Sequence, residues 1–90
     1  MAIEVRIPTI LRTYTDGARS VEASGDTLRS LLASLDATYP GIQERIVDDA
    51  GLRRFVNVYL NDEDVRFLDG IETALSDGDV VTVLPAVAGG

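Results

Sequence analysis

The sequence predicts an α+β fold in which one main helix packs across a mixed sheet of four or five strands. Two features of the 90 residues lead to this class. Short stretches typical of strands occur near both ends, alternating in apolar and polar residues near the start and mostly apolar near the end, and one apolar stripe at helical spacing lies between them. The chain is 46% hydrophobic and 26% charged, as globular domains are, and its length suffices for one core.

The first two strands are predicted to form a hairpin. The stretch IEVRI at residues 3–7 alternates apolar and charged side chains, which is the period of a half-buried strand, and Pro8 ends it. Polar residues 13–17 predict a turn. The weaker alternation that places Val21 and Ala23 on one face predicts the second strand.

The main helix is predicted within GDTLRSLLASLDATYPG. Asp26 or Thr27 supplies the N-cap, and Pro40 with Gly41 ends the helix. Its apolar stripe needs a sheet to cover it and consists of Leu28, Leu31, Leu32, Leu35 and Tyr39. Residues 42–54 show no clear period and are expected to be irregular, with a loop tip at residues 48–51.

The remaining strands complete the sheet. Val56, Val58 and Leu60 predict one face of the third strand, and a turn at residues 61–62 leads to a short strand predicted at residues 65–67. The last strand, residues 80–84, is mostly apolar and β-branched, as expected of a strand with neighbours on both sides. A hairpin, a crossover helix and a last strand beside the first form the β-grasp (ubiquitin-like) arrangement. We predict it for residues 1–85, with a flexible tail at residues 86–90.

The composition excludes most catalytic sites. The chain has no Cys, no His and no Lys, which removes the thiolate nucleophile, the commonest general base and the Schiff-base amine. The net charge of −7 disfavours nucleic acid and anionic membranes as partners. Arg53 and Arg54 are interpreted as solvated charge, with an acidic partner surface as the alternative. No basic and apolar leader is visible, so we expect a cytoplasmic protein. We also expect the free protein to be a monomer.

The last five residues carry the strongest functional signal. Ala86, Val87, Ala88, Gly89 and Gly90 have no charge, no hydroxyl and no bulky side chain, whereas frayed termini are usually polar. Extended, they reach about 17 Å at about 3.3–3.6 Å per residue, enough to thread into a partner's active site. The two glycines lack Cβ and can pass a narrow channel. The α-carboxylate of Gly90 is the reactive group of this tail.

A docking patch for a partner is predicted beside the tail. If the side chains of the last strand alternate, Thr82 and Leu84 point away from the helix. Phe55 and Tyr59 of the third strand would join them in an exposed apolar surface, which is typical of protein interfaces. The alternative for Phe55 is that a loop covers it and makes it part of the core.

Three stretches resemble the ubiquitin-like sulfur carriers of the MoaD/ThiS type. They are GDTLRSLLASL in the helix, VNVYLNDEDVR in the third strand, and DGDVVTVLPAVAGG, in which Gly-Gly closely follows the last strand. The resemblance covers nearly the whole chain. IPTILR and RRFVNVYLNDEDVRF bring it especially close to the actinobacterial carriers of cysteine biosynthesis. Many molybdopterin-synthase relatives have two prolines where this chain has Pro85-Ala86.

The resemblance implies a carrier protein and not an enzyme. Gly90 would be adenylated with ATP by a ubiquitin-activating-type enzyme and converted to a thiocarboxylate. A pyridoxal-phosphate-dependent cysteine synthase would accept the sulfur, and a JAMM-type zinc peptidase would release the cysteine. ATP, pyridoxal phosphate and zinc are therefore expected only in the partners, and this chain would hold no metal. Two alternatives stay open: the small subunit of molybdopterin synthase and a ubiquitin-like protein modifier.

Overall fold

The computed structural model describes residues 2–49, 51–54 and 56–85, which form a five-stranded sheet packed against one long helix. The predicted β-grasp fold is confirmed. The elements in chain order are β1 (Ile3–Arg6), a 3₁₀ segment (Thr9–Thr15), β2 (Ser20–Ala23), α1 (Leu28–Thr38), α2 (Ile42–Ile46), β3 (Val47–Asp48), β4 (Gly51–Leu52), β5 (Val56–Leu60), β6 (Glu63–Asp64), two 3₁₀ turns (Val65–Phe67 and Gly70–Glu72) and β7 (Val80–Pro85).

The main sheet has the strand order β2-β1-β7-β5-β6, which places β7 at its centre. β7 runs parallel to β1 and antiparallel to β5, whereas β1 and β2 form an antiparallel hairpin. The predicted first hairpin and the predicted central position of the last strand are therefore confirmed. Parallel pairing of the first and last strands requires a long crossover connection, and that connection contains α1.

The core lies between the sheet and α1. Val58 of β5 and Val81 and Val83 of β7 are at most 1% exposed. Four leucines of the predicted stripe are buried to the same degree: Leu28, Leu31, Leu32 and Leu35. Burial of each leucine side chain contributes about 1.5–3 kcal/mol, so this contact dominates the stability of the fold.

Thr27, one of the two predicted N-caps, begins α1. Its Oγ1 accepts a hydrogen bond from the backbone N–H of Ser30 (3.3 Å), and Ser30 Oγ accepts one from the N–H of Thr27 (3.1 Å). This reciprocal capping box satisfies two backbone donors that the first turn would otherwise leave unpaired. The start of the helix is therefore fixed by two residues that lie three positions apart in the sequence.

The predicted strand at residues 65–67 is wrong. Val65–Phe67 is a 3₁₀ turn, and the strand that pairs with β5 is β6, two residues earlier. Asp64 explains the difference, because its Oδ1 accepts a hydrogen bond from the backbone N–H of Arg66 (2.8 Å) and caps the turn. Asn61 and Asp62 form the expected tight turn, with φ angles of 49° and 73°.

Residues 42–54 are more ordered than predicted. They contain α2 and a small hairpin of β3 and β4 around the expected loop tip. Asp36 caps α2, because its Oδ1 accepts hydrogen bonds from the N–H groups of Gly41 (3.0 Å) and Gln43 (3.1 Å). The turn predicted at residues 13–17 is confirmed only at its end, since residues 9–15 form the 3₁₀ segment.

Candidate functional site

β7 delivers the chain to one end of the sheet, which we call the tail end. Pro85 lies there opposite Val56, the first residue of β5, and is the last described residue. β1 ends and β2 begins at the same end, so the 3₁₀ segment between them lies beside Pro85. The direction and register of three strands therefore decide where the tail begins.

The predicted tail lies outside the described residues. This holds for each of the residues to which a role was assigned: Ala86, Val87, Ala88, Gly89 and Gly90. Their threading and modification stay predictions. The division into a domain at residues 1–85 and a tail at residues 86–90 is likewise a prediction.

The structure brings three of the four predicted patch residues together. Tyr59 lies opposite Thr82 in the ladder of β5 and β7, and Leu84 lies on the same side, two residues along. Leu84 is 43% exposed, and the other two are half-buried. We call the surface formed by Tyr59, Thr82 and Leu84 the open face. The fourth residue, Phe55, lies outside the described residues.

Polar groups border the open face. Arg6 of β1 lies opposite Thr82, and its Nε forms an ion pair with Glu4 Oε2 (2.9 Å). Asn57 of β5 lies opposite Leu84 on the other side of β7. Polar groups of both neighbouring strands therefore border the described part of the predicted patch.

Ile10 is an exposed apolar residue that sequence reasoning missed. Its side chain lies on the 3₁₀ segment and is 66% exposed. Together with Pro8, Leu84 and Pro85 it lines an open groove at the tail end. The sequence does show an isoleucine here, in a segment whose apolar residues follow neither the spacing of a strand nor that of a helix.

Arg66 fixes the chain that enters β5 at the tail end. Its Nη2 donates hydrogen bonds to the backbone oxygens of Arg53 (2.8 Å) and Val56 (2.6 Å), and its Nη1 donates to Asn57 Oδ1 (2.7 Å). A guanidinium suits this task because its donors form a rigid planar fork. The start of β5 is thereby held against the 3₁₀ turn that follows β6.

A second groove lies on the other side of Ile10 and contains Tyr14, Arg45, Arg53 and Arg54. Arg45 Nε donates a hydrogen bond to the hydroxyl oxygen of Tyr14 (2.7 Å). This bond, with the charge interaction between the same two groups, raises the pKa of Arg45. The guanidinium of Arg45 is thereby held against the side chain of Tyr14 in this groove.

Two further properties concern the described part of the chain. It contains no group of three or more metal-ligating side chains that could hold an ion. None of the helices it forms is long and apolar enough to cross a membrane.

Comparisons with known proteins give the family. The model described as ThiS family matches residues 5–90. Over 93 residues, and all of both chains, the protein is 58% identical to the sulfur carrier protein CysO of Mycobacterium tuberculosis. It is 47% identical, again over all of both chains, to small archaeal modifier protein 3 of Haloferax volcanii. A chain in the crystal structure of the Amycolatopsis orientalis BexX/CysO complex superposes with a TM-score of 0.94 at 53% identity, covering 99% of this chain and 100% of that chain. The protein therefore belongs to the ThiS family of ubiquitin-like sulfur carriers.

Proposed function

We propose that Gly90 carries sulfur as a thiocarboxylate in the role of this sulfur carrier in cysteine biosynthesis. The protein is a carrier and not an enzyme, in line with the carrier proteins that it matches over its full length. The course of β7 supports the proposal most. It brings Pro85 to the tail end of the sheet, from which the small, uncharged residues 86–90 continue.

The carboxylate of Gly90 must be activated before sulfur can enter, because its charge resists nucleophilic attack. Attack of a carboxylate oxygen on the α-phosphorus of ATP forms an acyl adenylate and releases pyrophosphate. Hydrosulfide then attacks the carbonyl carbon, AMP leaves, a proton is released and a thiocarboxylate remains. The carrier supplies the reacting carboxylate, and the partner supplies the catalytic groups. The absence of Cys, His and Lys from the chain is consistent with this division.

The route needs protein partners, which we assign by their chemistry. A ubiquitin-activating-type enzyme would bind ATP and adenylate Gly90. A pyridoxal-phosphate-dependent cysteine synthase would accept the sulfur, and a JAMM-type zinc peptidase would release the cysteine. The BexX/CysO complex supports pairing with other proteins, because its matching chain is 53% identical to this one. A cytoplasmic location and a monomeric free state stay predictions.

A ubiquitin-like modifier is the second candidate, and the 47% identity to small archaeal modifier protein 3 favours it. In that function the activated Gly90 would be joined to an amine of another protein instead of accepting sulfur. The small subunit of molybdopterin synthase is a third candidate, which the Pro85-Ala86 sequence disfavours only slightly. The two leading candidates thus differ in what attacks the activated carbonyl.

The acceptor can be tested with the thiocarboxylated protein, a cysteine synthase from the same cell and an activated serine. We expect a covalent adduct whose intact mass corresponds to one cysteine in peptide linkage to Gly90. A zinc peptidase should return the chain to its carboxylate form. A chain lacking Gly90 is the control and should gain nothing. If the cell instead yields conjugates with heavier proteins and no cysteine adduct, the modifier function is correct.

A further inference from the structure

Positive charge is concentrated at the tail end of the molecule. Three arginines line the groove beside Ile10 and Pro85, and three line the second groove, so these grooves hold six of the eight arginines in the chain. We call them the arginine collar: Arg6, Arg12, Arg19, Arg45, Arg53 and Arg54. Only two of the fifteen acidic residues, Glu4 and Asp48, line these grooves, although the net charge is −7.

Acidic residues gather at the opposite end of β7. Asp77 and Asp79 precede this strand, and Asp79 Oδ1 accepts a hydrogen bond from Asn61 Nδ2 (3.0 Å). That bond places the turn containing Asp62, and Glu63 that follows it in β6, at the same end. A strand of six residues spans about 20 Å at about 3.3 Å per residue. Because the Debye length is about 8–10 Å in physiological salt, a partner at either end responds mainly to the nearer charges.

Two arginines of the collar have no partner within the described residues. Arg19 lines the first groove and Arg54 the second, and neither side chain forms a hydrogen bond or an ion pair there. Every other arginine donates to a carboxylate, hydroxyl, amide or carbonyl oxygen of the described chain. Both arginine side chains that are free to bind another molecule therefore lie at the tail end.

We propose that the arginine collar docks on an acidic surface of the adenylating partner, around the mouth of the channel that receives the tail. This inference rests on the proposed function. A tail of five residues reaches about 17 Å from Pro85, so an enzyme that draws Gly90 into its active site must bring its surface up to the collar. Contact between the two surfaces follows from the length of the tail.

A protein surface fits the collar better than a nucleic acid does. Ile10 is 66% exposed and lines both grooves of the collar, and Leu84 is 43% exposed and lines the first of them, so exposed apolar side chains lie among the arginines. An apolar centre with a polar rim is typical of protein interfaces. A nucleic-acid site would instead need net positive charge over a wider surface, whereas this chain carries −7.

The two charged ends would also orient the carrier as it approaches. An acidic surface attracts the collar and repels the end that carries Asp77 and Asp79. Charges at the rim of an interface act mainly on the rate of association and its salt dependence, and less on the chemistry that follows. The collar would therefore change the rate at which the carrier associates with the enzyme. It would leave the rate of adenylation at saturating carrier concentration unchanged.

The test uses an adenylating enzyme from the same cell and measures pyrophosphate exchange as a function of carrier concentration. Arg19→Gln and Arg54→Gln should each raise the KM for the carrier severalfold in low salt, and the double variant by about tenfold, with kcat unchanged. Arg19→Lys keeps the charge and should restore most of the affinity. Arg29→Gln is the matched control. It also removes one positive charge, but Arg29 lies on α1 and forms an ion pair with Glu72. This variant should leave KM unchanged.

The outcomes separate this inference from the proposed function. If the wild-type chain is adenylated and the Arg19 and Arg54 variants share its KM, the collar proposal is wrong and the carrier function stands. It is also wrong if Arg29→Gln raises KM as much as the collar variants do, because net charge alone would then explain the effect. If the wild-type chain is not adenylated by an enzyme shown to be active on another carrier, both proposals fail.

Discussion

Pro85 pairs with Val56 at the end of the antiparallel ladder between β5 and β7, so the sheet holds the chain up to the residue that precedes the tail. Proline has no N–H and cannot donate a hydrogen bond to extend the ladder. The anchoring gives the tail a fixed origin beside Ile10, Leu84 and the arginine collar. The tail itself then needs only to be narrow and to present its terminal carboxylate.

Replacement of the terminal glycine tests the need for a narrow tail. Gly90→Val should lower adenylation by at least about 100-fold, because a β-branched side chain displaces the carboxylate from the attacking position. Gly90→Ala should lie between the valine variant and wild type. The thermal unfolding midpoint should not change, because the core that the described residues form lies between the sheet and α1. Pyrophosphate exchange measures the activity, and normal adenylation of Gly90→Val would contradict the role of Gly90.

The open face is expected to dock on the same partner. Leu84→Glu places a charge at its centre and should weaken binding of the carrier to the adenylating enzyme by at least about tenfold, and Tyr59→Ala should weaken it similarly. Phe67→Ala is the control. Phe67 is 86% exposed but lies on a 3₁₀ turn outside the main sheet. Titration calorimetry gives the affinities. Unchanged affinity in both Leu84→Glu and Tyr59→Ala would show that the partner binds elsewhere.

Gly25 is required by the close approach of the backbone to the start of α1. A Cβ at this position would lie 2.7 Å from Ser30 Oγ and 2.8 Å from Leu31 Cα. Gly25→Ala should therefore lower the free energy of unfolding by about 1–3 kcal/mol, more than the roughly 0.4–1 kcal/mol that alanine gains by restricting the unfolded chain. Denaturant unfolding measures the difference, with the exposed neighbour Ser24→Ala as control. A Gly25→Ala protein as stable as wild type would show that the loop has room to move.

Arg66 should order the start of β5 more than it stabilises the whole fold. The residue is exposed, so water can replace the three hydrogen bonds that Arg66→Gln loses. The free energy of unfolding should therefore fall by only about 1 kcal/mol. The amide of Val56, which donates to the carbonyl of Arg53 (3.1 Å), should exchange its hydrogen faster. Arg29→Gln removes the same charge elsewhere and should leave that amide unchanged. If the Val56 amide exchanges at the same rate in the wild type and in both variants, Arg66 does not order the start of β5.

The predictions from sequence succeeded where a period ran through a whole element. The helix and the first strand repeat their pattern over several residues, the last strand is mostly apolar and β-branched, and tertiary packing agrees with all three. Residues 65–67 also alternate, but the side chain of Asp64 bonds to the local backbone and turns the chain. α2 was missed because its cap, Asp36, belongs to the preceding helix and acts through the tertiary fold.

Some residues of the candidate site could likewise be placed from the sequence, and others could not. Thr82, Leu84 and Tyr59 could be placed on one face because strand alternation and pairing decide it. The sequence offered an acidic partner only as the alternative for Arg53 and Arg54. The whole arginine collar could not be predicted, because its members are spread between residues 6 and 54 and meet only through the strand order. Ile10 was missed because no repeating pattern marks a 3₁₀ segment.

The most direct test of the central claim is the intact mass of the protein after incubation with ATP, sulfide and an adenylating enzyme from the same cell. We predict a gain equal to the replacement of one oxygen by sulfur, which requires ATP and is lost when Gly90 is deleted. An unchanged mass, with the enzyme shown to be active on another carrier, would contradict a sulfur-carrying Gly90.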